Sequence, residues 1–184
     1  MPRIKRKPAY PLPKVYGLLE PGPVLLLATA QRGRANLMTL SWHTMLEFEP
    51  PLVGCVVSNR DHSYKALLAT RECTLNIPTE ELSAQVVACG NSSGREVADK
   101  FLAFGLTPEP SRRVAPPRVA ECYASLECRV VDTRMVRAYG LFVLEVLAAG
   151  VDRMRAKDPR TLHHRGWGDF MLAGETVHLA SRMR

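Results

Sequence analysis

The chain has 184 residues, 46% hydrophobic and 23% charged, which is enough for one ordinary domain with its own core and excludes a disordered polymer or a second full domain. Its formal charge of +7 sits at the ends, on Arg3, Lys5, Arg6, Lys7 and Lys14 at one and Arg182 and Arg184 at the other, with a balanced body between. A surface that reads nucleic acid spreads its charge along an element, and the longest apolar runs (24–28 and 141–149) fall short of a bilayer, so neither nucleic acid nor membrane is an expected partner.

Residues 1–22 read as a basic, Pro-rich arm ahead of a domain over 23–184. The arm lacks the apolar segment of a secretory signal, and the five cysteines show no CxxC spacing, which points to reduced thiols in a cytoplasmic protein. Pro23 to Ala30 predicts a strand, and Gln-Arg-Gly-Arg a tight turn into a second strand over 35–42. Period-two alternation there puts Leu37, Thr39 and Ser41 on one face and Asn36, Met38, Leu40 and Trp42 on the other. A buried strand is expected at 52–58, then a short helix with Ser63 as its N-cap and a strand at 74–77.

Thr79 opens a further helix with Leu82, Val86 and Cys89 on one face. Ser93-Gly94-Arg95-Glu96 has the spacing of a capping box and predicts a helix through Val97, Phe101 and Phe104 that Gly105 ends. Four prolines make 107–118 an irregular connection. Alternating strands follow at 119–131 and 140–149, and the tail from Trp167 reads as a hairpin turning at Ala173-Gly174. Six or seven strands, three short helices and mostly hairpin connections give a mainly β class, an antiparallel barrel with helical insertions.

The sequence has no P-loop, dinucleotide fingerprint, nucleophile elbow or HExxH motif, and the adjacent His163 and His164 point apart on a strand. Neither a catalytic side-chain set nor a metal site is therefore expected. More informative are Asn36, Thr39 and Ser41, which put an amide and hydroxyls on an apolar strand, and Ser58, Arg60, His62 and Ser63, which cluster where a loop enters a helix. Free helix amides beside an arginine and hydroxyls make a phosphate site, but the same residues also describe a capped surface helix with a solvated arginine. Residue types and spacing leave both open.

Four segments occur in order: Asn-x-Met-Thr-x-Ser-Trp at 36–42, Pro-Pro-Leu through Ser-x-Arg-x-x-Ser at 50–63, Asn-Ile-Pro at 76–78, and Cys-Gly-x-x-Ser-Gly-Arg through Asp-Lys-Phe at 89–101. Over roughly 22–150 the chain thereby resembles the flavin reductase-like family, in particular its flavoredoxin-type members. The resemblance implies an antiparallel Greek-key split barrel that binds FMN and forms a homodimer, with the flavin in a groove near the subunit interface. It implies that Met38, Thr39, Leu40, Ser41 and Trp42 line the flavin ring largely through main chain, with Asn36 in the same cofactor-binding motif. Val57 and Ser58 then end the neighbouring strand against the flavin, and Arg60 and Ser63 hold the phosphate. His62 is a further contact or an exposed neighbour, and Lys100 a second phosphate contact or a solvated helix lysine.

The implied activity is transfer of electrons from NAD(P)H through bound FMN to free flavin, a ferric chelate or another acceptor, with small molecules as donor and acceptor. Arg95, Arg165 and the His163-His164 pair are candidates for the phosphates of the nicotinamide nucleotide. The alternatives are a non-enzymatic FMN carrier reduced by a partner protein, and a barrel that has lost its flavin.

Overall fold

Strands β1 (Leu25–Gln31) and β2 (Arg34–Leu40) form the first hairpin of the computed structural model, which describes residues 8–15 and 22–179. Its two-residue turn places Arg32 and Gly33 at left-handed φ of 52° and 74°, the conformation whose twist matches that of the flanking strands. A second hairpin joins β3 (His43–Phe48) to β4 (Pro51–Val56), and helix α1 (His62–Thr70) leads to β5 (Glu72–Ile77). Helices α2 (Ser83–Gly90) and α3 (Lys100–Ala103) follow, then the short pair β6 (Pro108–Glu109) and β7 (Arg118–Val119). The long β8 (Ala124–Asp132) and β9 (Leu141–Val151) pair across α4 (Val136–Tyr139), and β10 (Leu162–Gly166) pairs with β11 (Asp169–Leu172).

Seven strands make one antiparallel sheet in the order β2-β1-β5-β8-β9-β4-β3. The two edge strands, β2 and β3, are consecutive in the chain and separated only by Ser41 and Trp42. The sheet therefore curls until its edges meet at that link, which makes a barrel split between β2 and β3, the expected Greek-key split barrel. No helix among the described residues is long and apolar enough to cross a membrane.

Strand β1 is buried on both faces, which is why its sequence is continuously apolar instead of alternating. Leu25 and Leu27 point into the barrel with Cys55, Leu75, Leu126 and Phe142, while Leu26 and Ala28 meet Val86 and Cys89 of α2 and Phe101 of α3 on the outside. All five cysteines are buried and free, and Cys73 and Cys128 sit opposite each other across β5 and β8. Of the expected arm, residues 8–15 lie on the barrel: Tyr10 N–H donates to Ala149 O at 2.8 Å and Val15 is buried in the core. The basic residues Arg3, Lys5, Arg6, Lys7, Arg182 and Arg184 lie outside the described residues.

Three local expectations are corrected. The segment 93–98 is a series of turns, and the helix is only the single turn of α3, capped by Asp99 accepting from Leu102 N–H at 3.0 Å. Gly105 at φ 65° does end it, with Leu106 N–H returning to Phe101 O. The N-cap of α1 is Asp61, not Ser63. The tail hairpin turns at Trp167-Gly168, because β10 and β11 pair there, and no strand includes Ala173-Gly174. The Pro-rich connection at 107–118 is pinned by the buried Glu127, which accepts from the N–H groups of Arg112 and Arg113 and lies 3.7 Å from the buried Arg118.

Candidate functional site

An edge strand presents main-chain N–H and C=O groups without a sheet partner. Among the described residues strand β2 is such an edge, and α2 is tied over it by Thr39 Oγ1 donating to Val86 O at 2.6 Å. Between β2, the start of α1 and the 89–96 segment lies a cleft of about 380 Å³. Asn36, Met38, Thr39, Arg60, His62 and Lys100 line it, so six of the sequence-predicted residues converge there from elements far apart in the chain.

Three features set its electrostatics and its shape. The first is the start of α1. The Asp61 carboxylate turns back to accept from Ser58 N–H at 2.9 Å and caps none of the helix amides, so the N–H groups of His62 and Ser63 remain open at the cleft end of the helix. Those open donors and the positive end of the helix dipole favour an anion. Ser63 is fully buried behind them and accepts from Asn36 Nδ2 at 2.9 Å, which fixes the side chain that walls the cleft.

The second is Lys100, only 2% exposed. Its Nζ donates to Cys89 O at 3.0 Å and to Ser92 O at 2.6 Å, bridging the C-terminus of α2 and the following turn, and makes no ion pair among the described residues. An ammonium has three protons, so one remains for the cleft that Lys100 lines. Burial pulls its pKa below the usual lysine value, opposed by the nearby Glu96 carboxylate. A buried cation held only by carbonyls gains from an incoming anion. Beside it, burial pushes the Cys89 thiol up to about 11, which keeps it from acting as a thiolate nucleophile.

The third is Gly94. A Cβ on this residue would overlap Asn36 Oδ1 and lie 2.5 Å from His62 Cδ2, so only glycine lets the 91–96 turn close down on the cleft. Sequence reasoning assigned this turn to a helix and missed it as a wall. Its legible signal was the glycine of Ser-Ser-Gly-Arg, which fits a close approach better than a helix interior.

Past Thr39, Gly90 and Asn91 the cleft continues into a second compartment of about 300 Å³, also lined by Val24, Ser41, Val86, Val87, His164 and Phe170. The remaining sequence-predicted residues lie elsewhere. Leu40 and Val57 give their side chains to the core, and Val57 N–H donates to Gly140 O at 2.9 Å. Trp42 is 72% exposed outside both compartments, and the exposed Ser58 uses its Oγ to accept from Arg60 N–H. Arg95 lines the first compartment, whereas His163 faces Thr161 Oγ1 at 3.0 Å and Arg165 lines neither. No group of three His, Cys, Asp or Glu among the described residues could hold a metal.

The donor set fits the FMN that the sequence motifs imply: cations and open helix amides at one end, an unpaired strand edge and uncharged walls towards the other.

Comparison with known proteins bears on the same region. The sequence model of the flavin reductase like domain matches residues 18–170. An FMN-binding domain of a flavin reductases-like enzyme from Shewanella baltica superimposes with a TM-score of 0.89 at 26% identity, covering 95% of this chain and 98% of that one. Flavoredoxin from Methanosarcina acetivorans gives 0.78 at 25% identity, over 87% and 89% of the two chains. The reductase component of the 4-nitrophenol 4-monooxygenase/4-nitrocatechol 2-monooxygenase of Rhodococcus opacus is 29% identical over 126 residues, 68% of this chain and 64% of that protein.

Proposed function

The chain belongs to the flavin reductase-like family, and from that premise we propose that it is an FMN-dependent oxidoreductase passing electrons from NAD(P)H to free flavin, a ferric chelate or another small acceptor. The observation that carries this reading is the convergence of the buried Lys100, Arg60 and the uncapped amides of α1 on one end of a cleft whose other walls carry few charges. When bound, FMN supplies the two-electron chemistry, so the chain needs no catalytic acid or nucleophile of its own. Arg60, Lys100 and the N–H groups of His62 and Ser63 hold the phosphate. Asn36, fixed by Ser63, borders the path of the ribityl chain, and the main chain from Met38 at the end of β2 to Ser41 just beyond it meets the polar edge of the ring. N–H donors along that edge stabilise negative charge added to a bound ring.

A second copy of the chain covers the exposed apolar strip of Trp42, just before the edge strand β3, and Leu46 and Phe48 on it, so that a homodimer borders the groove at the split. The buried, free thiols agree with a reducing, cytoplasmic setting. The likeness to a flavoredoxin supports a second reading, a non-enzymatic FMN carrier reduced by a partner protein. Anaerobic stopped-flow mixing of the FMN-loaded protein with NADH and with NADPH separates the two. Rapid loss of the visible flavin absorbance is the enzyme's outcome, and persistence with both nucleotides is the carrier's. A protein that stays colourless after incubation with FMN defeats both.

A further inference from the structure

The described part of the arm encloses a separate cavity, of about 190 Å³, that shares no residue with the two compartments of the cleft. Tyr10 N–H and the bridge from Ala9 to Gly150 hold the arm to β9, and the cavity lies between them, β8 and the 107–118 connection. Glu127 alternates with the core residues Leu126 and Cys128 and stands opposite Ala148, so its carboxylate points to the outer side of the barrel. The walls are apolar at Leu12, Leu147 and Ala148 and charged at Arg112, Arg118 and Glu127. Two of those charges are buried, Arg118 at 3% exposure and Glu127 at 1%. Their partners are incomplete. Arg118 commits Nη2 to Pro110 O at 3.1 Å and to Glu109 Oε1 at 3.2 Å, while Nε and Nη1 make no hydrogen bond to another described residue. Glu127 commits Oε2 to the N–H groups of Arg112 and Arg113, and its Oε1 stands 3.7 Å from Arg118 Nη1, beyond hydrogen-bond reach. Buried polar groups are ordinarily satisfied, so a donor and an acceptor left open at a cavity wall mark a place for a ligand that bonds both.

Arg112 is exposed and has no ion pair among the described residues. With Glu109 beside Arg118, the charges around the cavity cancel, two of each sign, which favours a ligand of no net charge that carries both signs. The volume is that of about six waters, so the ligand is small. We propose that this cavity binds a free α-amino acid with an aliphatic side chain. Its carboxylate accepts from Arg118 Nη1 and from Arg112, its ammonium donates to Glu127 Oε1, and its side chain packs against Leu12, Leu147 and Ala148. Each buried protein charge then gains the partner that the fold leaves open, and the bound molecule joins the arm to β9 and to the Pro-rich connection. The arm, β8 and β9 take no part in walling the cleft, so this site stands whether or not the FMN reading does.

The test is equilibrium dialysis of radiolabelled L-leucine against the full chain in the presence of excess FMN. The competitors are 4-methylpentanoate, which is leucine without its ammonium, and 3-methylbutylamine, which is leucine without its carboxylate. Leucine is expected to bind, and each competitor to be at least roughly tenfold weaker, because each leaves one buried charge unmatched. Arg112→Gln, at an exposed position, is expected to weaken leucine severalfold. Ala148→Leu, which fills the cavity and leaves both buried charges in place, is expected to abolish binding. Both variants are expected to keep the wild-type urea midpoint and the wild-type FMN affinity read by fluorescence quenching. Absence of leucine binding, equal affinity for leucine and its two analogues, or unchanged leucine affinity in Arg112→Gln and Ala148→Leu overturns the proposal. Release of FMN by leucine overturns it too, since the amino acid would then occupy the cleft.

Discussion

Arg60 and Lys100 bring like charges to the same cleft from opposite environments. Arg60 is exposed on the loop before α1, and the Ser-x-Arg-x-x-Ser spacing made it legible in the sequence. Arg60→Ala is expected to weaken FMN by about 1.5 to 3 kcal/mol, the scale of a charge-assisted hydrogen bond, as read by flavin fluorescence quenching; unchanged affinity removes it from the site. Lys100 was legible only as a helix residue with two possible roles, because its burial depends on the 91–96 turn folding back over it. Its folded pKa lies below the 10.5 of the unfolded chain, so over that window the unfolded state binds more protons and stability rises with pH. Below the window the cost of burying the ammonium is felt in full. Urea midpoints from neutrality upwards should therefore climb more steeply in the wild type than in Lys100→Met, and saturating FMN should flatten the difference by restoring the charged form. Parallel curves in the absence of FMN contradict this account.

At the level of elements, the signals that succeeded were long and repetitive. The alternation in β8 and β9 and the apolar run of β1 each extend over enough residues to outweigh local accidents. The capping box at Ser93 to Glu96 failed because a four-residue signal competes with tertiary demands. Ser93 does accept from its neighbours, its O from the N–H groups of Glu96 and Val97 and its Oγ from Arg95 N–H, but the coil stops after that one turn, where Gly94 lies close against Asn36 and His62. Asp99, five residues after Gly94, then supplies the cap that is used. Gly94→Ala is expected to displace the His62 ring and the buried Asn36 amide, which lowers FMN affinity and also lowers the unfolding midpoint, since His62 can turn aside but Asn36 is held by Ser63. Gly140→Ala is the contrasting case. Its Cβ would lie 2.5 Å from Val57 O, which is backbone, at a φ of 67°. A loss of about 1 to 3 kcal/mol is expected in urea unfolding, from strain at the end of α4 rather than at the cleft.

For the whole molecule, the sequence disclosed that the strands were antiparallel but not their order, since β5 pairs with β1 and β8 through contacts that no local pattern encodes. That order makes β2 and β3 the two edges and leaves the main chain of β2 open along the cleft. A ligand that bonds this edge and the start of α1 converts locally open amides into protected ones without altering the closed side of the barrel. Tight binding also stabilises the entire fold by mass action, which slows exchange everywhere that requires global unfolding. Short labelling times at FMN concentrations near its dissociation constant separate the two effects. Hydrogen exchange followed by mass spectrometry should then show slower exchange in peptides covering 36–42, 58–64 and 89–96 and none of that change in β8 and β9. Riboflavin, which lacks the phosphate, should protect 36–42 and leave 58–64 as it was. Equal protection of all segments by both ligands would mean that the split is not where the flavin is held.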